Sequence, residues 1–162
     1  MPQPDEVVYL SPEDLLILHD RVLRPDEDNT VLDDNLLQSV PVRPQTTYFG
    51  QEQFPGLFVK AACMVESLAG SQVFYTGNKR TAWEAARVFL FRNGYRLARM
   101  TSSDEQHARY ATISTLLDDI AEKRITSPDQ IAERLELYFE AADADKQRED
   151  LRRDLGSTQH TR

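Results

Sequence analysis

Gln72-Val73-Phe74-Tyr75-Thr76-Gly77-Asn78-Lys79-Arg80-Thr81-Ala82 is a glycine-containing, basic turn that runs straight into a helical pattern. Gly77 lets the backbone take a positive φ and approach a ligand closely. Asn78 tolerates the same kind of backbone and offers an amide. The free N–H groups of the helix that follows point back into the turn and favour an anion there. Lys79 adds a mobile charge, and Arg80 a planar fork that matches phosphate oxygens. Two readings stand side by side: a phosphate cradle, or an ordinary helix start with surface basics. A helix dipole usually places acids at this end, not Lys and Arg. The residues that bear on chemistry are Gln72 and Thr76, because neither side chain is a general base at neutral pH.

Working outward, the segments on either side of the turn read as central helices. Upstream, Pro55 opens a helix whose Leu57, Phe58, Ala61, Ala62, Met64, Val65 and Leu68 make a wide apolar face. Downstream, Thr81–Arg92 carries Ala82, Ala85, Ala86, Phe89 and Leu90, and Asn93-Gly94 ends it as a left-handed cap. Ser11-Pro12-Glu13-Asp14 and Thr126-Ser127-Pro128-Asp129 are matching helix starts, a cap followed by proline and acid. They launch a first helix through Leu15, Leu18, Val22 and Leu23, and a sixth through Ile131, Leu135, Tyr138 and Phe139. A short second helix is expected over 35–40 and a fifth over 103–123. Val7–Leu10 reads as a short strand. Residues 41–53 hold either a small hairpin around Thr46–Phe49 or an extended flap. The class is all-α, about six helices with one small β element.

Composition sets the outer bounds. The 162 residues make one domain, taken as 1–142, followed by a charged tail over 143–162 that is either an ion-paired helical extension or a frayed end. No apolar run is long enough to span a bilayer, and the acidic, proline-bearing N-terminus lacks a signal region, so a cytoplasmic protein is expected. The net charge of −8 argues against nucleic-acid or membrane partners. A local Lys79–Arg80 cluster still acts on a nucleotide, since exposed charges are screened over roughly 10 Å. The single cysteine, Cys63, excludes an internal disulfide and reads as a small core residue.

The stretch Gln72–Ala82 resembles the signature loop of the Fic/Doc family, H-x-F-x-[DE]-[GA]-N-[GK]-R. Ser11–Arg24 is similar to the first helix of the death-on-curing (Doc) branch. Val42-Arg43-Pro44-Gln45, Tyr48-Phe49-Gly50, Phe54-Pro55, Lys60-Ala61-Ala62, Phe89–Leu97 and Ser127–Leu135 follow the spacing of the same branch, so the resemblance runs over residues 7–140. It implies a helical fold with the active loop between two central helices, ATP or a related nucleotide, and Mg²⁺. Fic relatives transfer AMP to protein hydroxyls; Doc relatives transfer a phosphoryl group and are restrained by a small antitoxin. By position, the resemblance assigns Asn78, Lys79 and Arg80 to phosphates, Gly77 to the anion-hole backbone and Phe74 to the loop's anchor. Residues 42–54 become a flap that docks a protein target by strand addition.

The chain departs from that pattern at two positions. The family's base is a histidine where this chain has Gln72, and its Mg²⁺-binding acid is Thr76 here. A histidine takes a hydroxyl proton at pH 7; a glutamine amide does not, and loss of a positioned base costs on the order of 10²–10⁴ in rate. Threonine offers Mg²⁺ an oxygen without charge. The alternatives are an enzyme of weak or redirected activity, with Gln72 orienting a hydroxyl or water, and a pseudoenzyme that regulates a partner. No other residue has a sequence reason to supply the base: His19 reads as structural or solvent-facing, His107 as exposed, and His160 lies in the tail. Glu66 and Glu84 are expected to pair with Arg80 or Lys79, with a substitute acid as the alternative, and Trp83 and Phe91 to join the core, with a wall for the nucleotide base as the alternative. The family's self-inhibitory [ST]-x-x-x-E-[GN] pattern has no convincing copy, in keeping with inhibition by a separate antitoxin.

Overall fold

The computed structural model describes residues 6–142, so the expected tail over 143–162 lies outside the described residues. Six helices carry the fold: α1 (Pro12–Val22), α2 (Asp34–Ser39), α3 (Leu57–Ala69), α4 (Asn78–Arg92), α5 (Ser103–Ala121) and α6 (Pro128–Glu136). Four short strands make two separate antiparallel pairs, β1 (Thr47–Tyr48) with β2 (Gln51–Glu52), and β3 (Tyr95–Leu97) with β4 (Phe139–Ala141). The expected all-α class with a small hairpin flap is the class observed.

α3 is the central rod. Its Ala61, Ala62, Cys63, Met64, Val65 and Leu68 are fully buried, and it packs on α4, α6 and α5. Ala61 and Ala62 of α3 and Ala82, Ala85 and Ala86 of α4 are all fully buried, small side chains in the densely packed interior that these two helices share. Burial also pushes the Cys63 thiol up to about 11, as befits an inert core position. α1 starts with the expected capping box: Ser11 Oγ accepts from Asp14 N–H while Asp14 accepts from Ser11 N–H. Its Leu15 and Leu18 pack toward the common core.

Three elements differ from the sequence expectation. α4 begins at Asn78, one turn earlier than Thr81, with Gly77 as a left-handed cap at φ 81°. Val7–Leu10 forms no strand with any of the described residues; the Asn93 carboxamide accepts from Val8 N–H at 2.9 Å and donates to Val8 O at 2.9 Å. The sixth helix ends at Glu136, so Tyr138 and Phe139 both fall outside it, and Phe139 enters β4 opposite Leu97, because β3 offers a ladder whose register also joins Tyr95 to Ala141. The hairpin lies at 47–52 with a two-residue turn, Phe49 (φ 47°) and Gly50 (φ 75°), the signs that suit the twist of a tight hairpin. Phe49 is 90% exposed at its tip.

Candidate functional site

The loop between α3 and α4 is held from three sides. Val73 O accepts from Leu32 N–H and Asp33 N–H, and Tyr75 N–H donates to Thr30 O, so the segment before α2 stitches the outer edge. Phe74 is fully buried and stacks on the His19 ring, centroids 3.7 Å apart and 7° from parallel. The Asn78 carboxamide closes the loop on itself, accepting from Phe74 N–H at 2.9 Å and donating to Phe74 O at 2.8 Å. In this state Asn78 braces the loop.

His19 reaches the loop from α1, contrary to the sequence expectation. It is 1% exposed, and its Nε2 lies 2.8 Å from Thr76 O. A carbonyl oxygen only accepts, so Nε2 carries the hydrogen. The buried His19 ring is engaged with Thr76 O, whereas Gln72 is exposed.

Gln72, Thr76, Gly77, Asn78, Lys79 and Arg80 line one open groove of about 410 Å³. No acceptor among the described residues takes the N–H groups of Gly77, Asn78, Lys79 or Arg80; the first N–H of α4 with a carbonyl partner is that of Thr81, bonded to Gly77 O at 2.9 Å. Lys79 and Arg80 also line a second cavity of about 340 Å³, whose other walls include Val22, Trp83, Tyr110, Ile113 and Leu117. A polar compartment and an apolar one thus meet across two cations.

The cations have carboxylate partners that sequence reasoning missed. Arg80 makes a two-pronged pair with Glu27, at 2.9 and 2.7 Å, and its Nη1 donates to Val22 O at 2.7 Å. The guanidinium, with help from Arg24 N–H, holds the Glu27 carboxyl down to about 2. Lys79 pairs with Asp118 at 2.7 Å. The expected partners are used elsewhere: Glu66 pairs with Arg43, and Glu84 with Arg87 at 2.7 Å. Trp83 packs against Tyr138 and Phe139 while lining the second cavity, whereas Phe91 is 59% exposed and not in the core. His107 is exposed, as expected, and His160 lies outside the described residues.

Where the resemblance expects a Mg²⁺-binding acid, the loop has Thr76, a hydroxyl without charge, and the groove it lines holds no carboxylate among the described residues. No group of three His, Cys, Asp or Glu side chains suited to a metal exists among the described residues, and Asp118 is occupied by Lys79. That donor set does not fit a metal held by the protein's own carboxylates. At the flap, buried Lys60 ties both ends of the hairpin to α3. It donates to Pro44 O at 3.2 Å, Phe54 O at 2.8 Å and Glu52 Oε1 at 3.0 Å. Among the described residues, no helix is long and apolar enough to cross a membrane.

Comparison with known proteins agrees with this architecture. The Fic/DOC family model matches residues 9–90, from the start of α1 through most of α4. Toxin Doc of Mycolicibacterium smegmatis (strain ATCC 700084 / mc(2)155) is 47% identical over 68 residues, 42% of this chain and 52% of that protein. The match thus spans about half the length of that relative. With half of its residues matched by the family model, the chain belongs to the Fic/DOC family.

Proposed function

We propose that this chain is a Doc-like, toxin–antitoxin-type protein that binds ATP or a related nucleotide across Lys79 and Arg80. The phosphates occupy the groove at Gly77–Arg80, and the base occupies the apolar cavity beside Trp83 and Tyr110. The observation that carries this reading is that the N–H groups of Gly77–Arg80 have no protein acceptor among the described residues, and that these four residues line one groove. The two compartments are of a size usual for small-molecule sites, about 300–1,000 Å³. The reaction is transfer of a phosphoryl or AMP group to a protein hydroxyl, slow here because Gln72 cannot accept the hydroxyl proton. Phosphoryl transfer depends mostly on positioning and charge stabilisation, so a positioned Gln72 is compatible with residual turnover. Any Mg²⁺ is expected to be held by the nucleotide's phosphates. The partners are an antitoxin-like small protein and a protein target docked at the flap, residues 42–54. A second reading, a pseudoenzyme that binds nucleotide or a partner without transfer, is favoured by Gln72, Thr76 and the pairing of Arg80 with Glu27.

Trp83 is the chain's single tryptophan and lines the second cavity, so it reports directly on the base. ATP is expected to change Trp83 fluorescence, while inorganic triphosphate binds with little optical change. Tyr110→Ala is expected to weaken ATP roughly tenfold, from a stacking contribution of about 1–3 kcal/mol, and to leave triphosphate alone. Absence of binding by either compound ends this reading. Labelled ATP with cell extract then separates the two functions. Gln72→His is expected to raise transfer by about 10²–10⁴ if the groove is catalytically competent; Thr76→Asp is added if the single change is silent. No label transfer from the double variant leaves the pseudoenzyme.

A further inference from the structure

We infer that His19 is a positioning residue of the phosphate groove, aiming the Gly77 N–H outward by holding the Thr76 carbonyl inward. The inference rests on the reading of Gly77–Arg80 as an anion site. The Thr76–Gly77 peptide is trans, as are all peptide bonds described. In a trans planar peptide the C=O and N–H point in opposite directions. Thr76 O points at buried His19 Nε2, 2.8 Å away. The Gly77 N–H therefore points away from α1, to the groove side that Gly77 lines, and no protein acceptor among the described residues receives it. Unheld, that peptide plane could rotate and present its carbonyl to the groove instead, replacing a donor with an acceptor that repels an anion.

The surrounding packing serves the same orientation. His19 lies flat against Phe74, which fixes the ring plane. A Cβ at Gly77 would sit 3.4 Å from the His19 ring and 3.1 Å from Leu23 Cδ2, so the histidine fills the space directly behind the glycine. α1 thereby sets a loop peptide 57 positions later in the chain.

Two substitutions separate the hydrogen bond from bulk. His19→Phe keeps a flat ring against Phe74 and loses the donor; His19→Gln keeps a donor at the Nε2 position and loses the ring. Calorimetry with inorganic triphosphate, well below each variant's unfolding temperature, is expected to show affinity roughly 3- to 10-fold weaker for His19→Phe. Recovery to within about threefold of wild type is expected for His19→Gln. Unchanged affinity in His19→Phe, with only a lowered unfolding temperature, assigns His19 to packing and overturns the inference. Amide spectra of the wild-type chain are a test independent of folding in the variants: triphosphate is expected to shift the Gly77 resonance strongly. A Gly77 resonance that does not move while triphosphate binds also overturns the inference. If wild type does not bind triphosphate at all, the anion-site reading fails first, a distinct result.

Discussion

Gly77 meets two separate requirements. Its φ of 81° is a left-handed conformation that an L side chain adopts at a cost of about 1–2 kcal/mol. An added Cβ would also press on Leu23 at 3.1 Å, tighter than ordinary contact. Gly77→Ala is therefore expected to destabilise the fold by about 1–2 kcal/mol, read from a urea unfolding midpoint, and to weaken triphosphate binding. An alanine variant with wild-type stability and affinity would show that the loop has an alternative backbone of equal energy. This residue was legible in the sequence, since glycine in a basic turn before a helix has few other uses. Its supports were not. His19 and Glu27 lie 57 and 53 positions from the residues they bind, Thr76 in the loop and Arg80 in the first turn of α4, and no local pattern marks them. The sequence supplied Glu66 and Glu84 as partners because they are near in the chain; packing brought Glu27 and Asp118 instead.

Helices were legible where cap, proline and apolar spacing agreed, as at Ser11–Val22, and along α3 from its wide apolar face alone, since that helix starts at Leu57 after Gly56 with no side-chain cap and Pro55 stays outside it. The reading failed where tertiary pairing competed with spacing. Leu135, Tyr138 and Phe139 continue a helical period, yet β3 captures Phe139–Ala141 as a strand. The flap's hairpin was readable, but not what fastens it. Lys60 is 2% exposed and donates to carbonyls on both sides of the hairpin, Pro44 and Phe54. Lys60→Met keeps most of the bulk, removes the charge and leaves those carbonyls without a donor. The expected cost is about 1–3 kcal/mol of stability. Backbone amide exchange over 46–53 is expected to accelerate more than exchange in α3. Equal acceleration in both would assign Lys60 to the core at large and not to the flap.

At the scale of the whole molecule, charge pairs fasten α1 and the segment after it to α4, and these make the site sensitive to acid. Arg92 grips Asp14 at 2.9 and 3.1 Å, and Arg80 grips Glu27 at 2.9 and 2.7 Å. The arginine hydrogen bonds hold both carboxyls down to about 2, against ordinary values of 3.8 for Asp and 4.5 for Glu. A carboxyl whose folded value is depressed binds its proton more readily when unfolded. Its contribution is therefore full above the unfolded value and disappears as pH falls toward the folded one. Stability is expected to fall between about pH 4.5 and pH 2, with Glu27 losing its share from the upper end of that window. Glu27→Gln removes the charge at every pH, so the variant is less stable than wild type at pH 7 and converges on it as the medium is acidified. Urea midpoints at several pH values from 7 down to 2.5 measure the gap. A gap that stays constant through that range would mean that the Glu27–Arg80 ion pair contributes nothing to holding α4 against the end of α1.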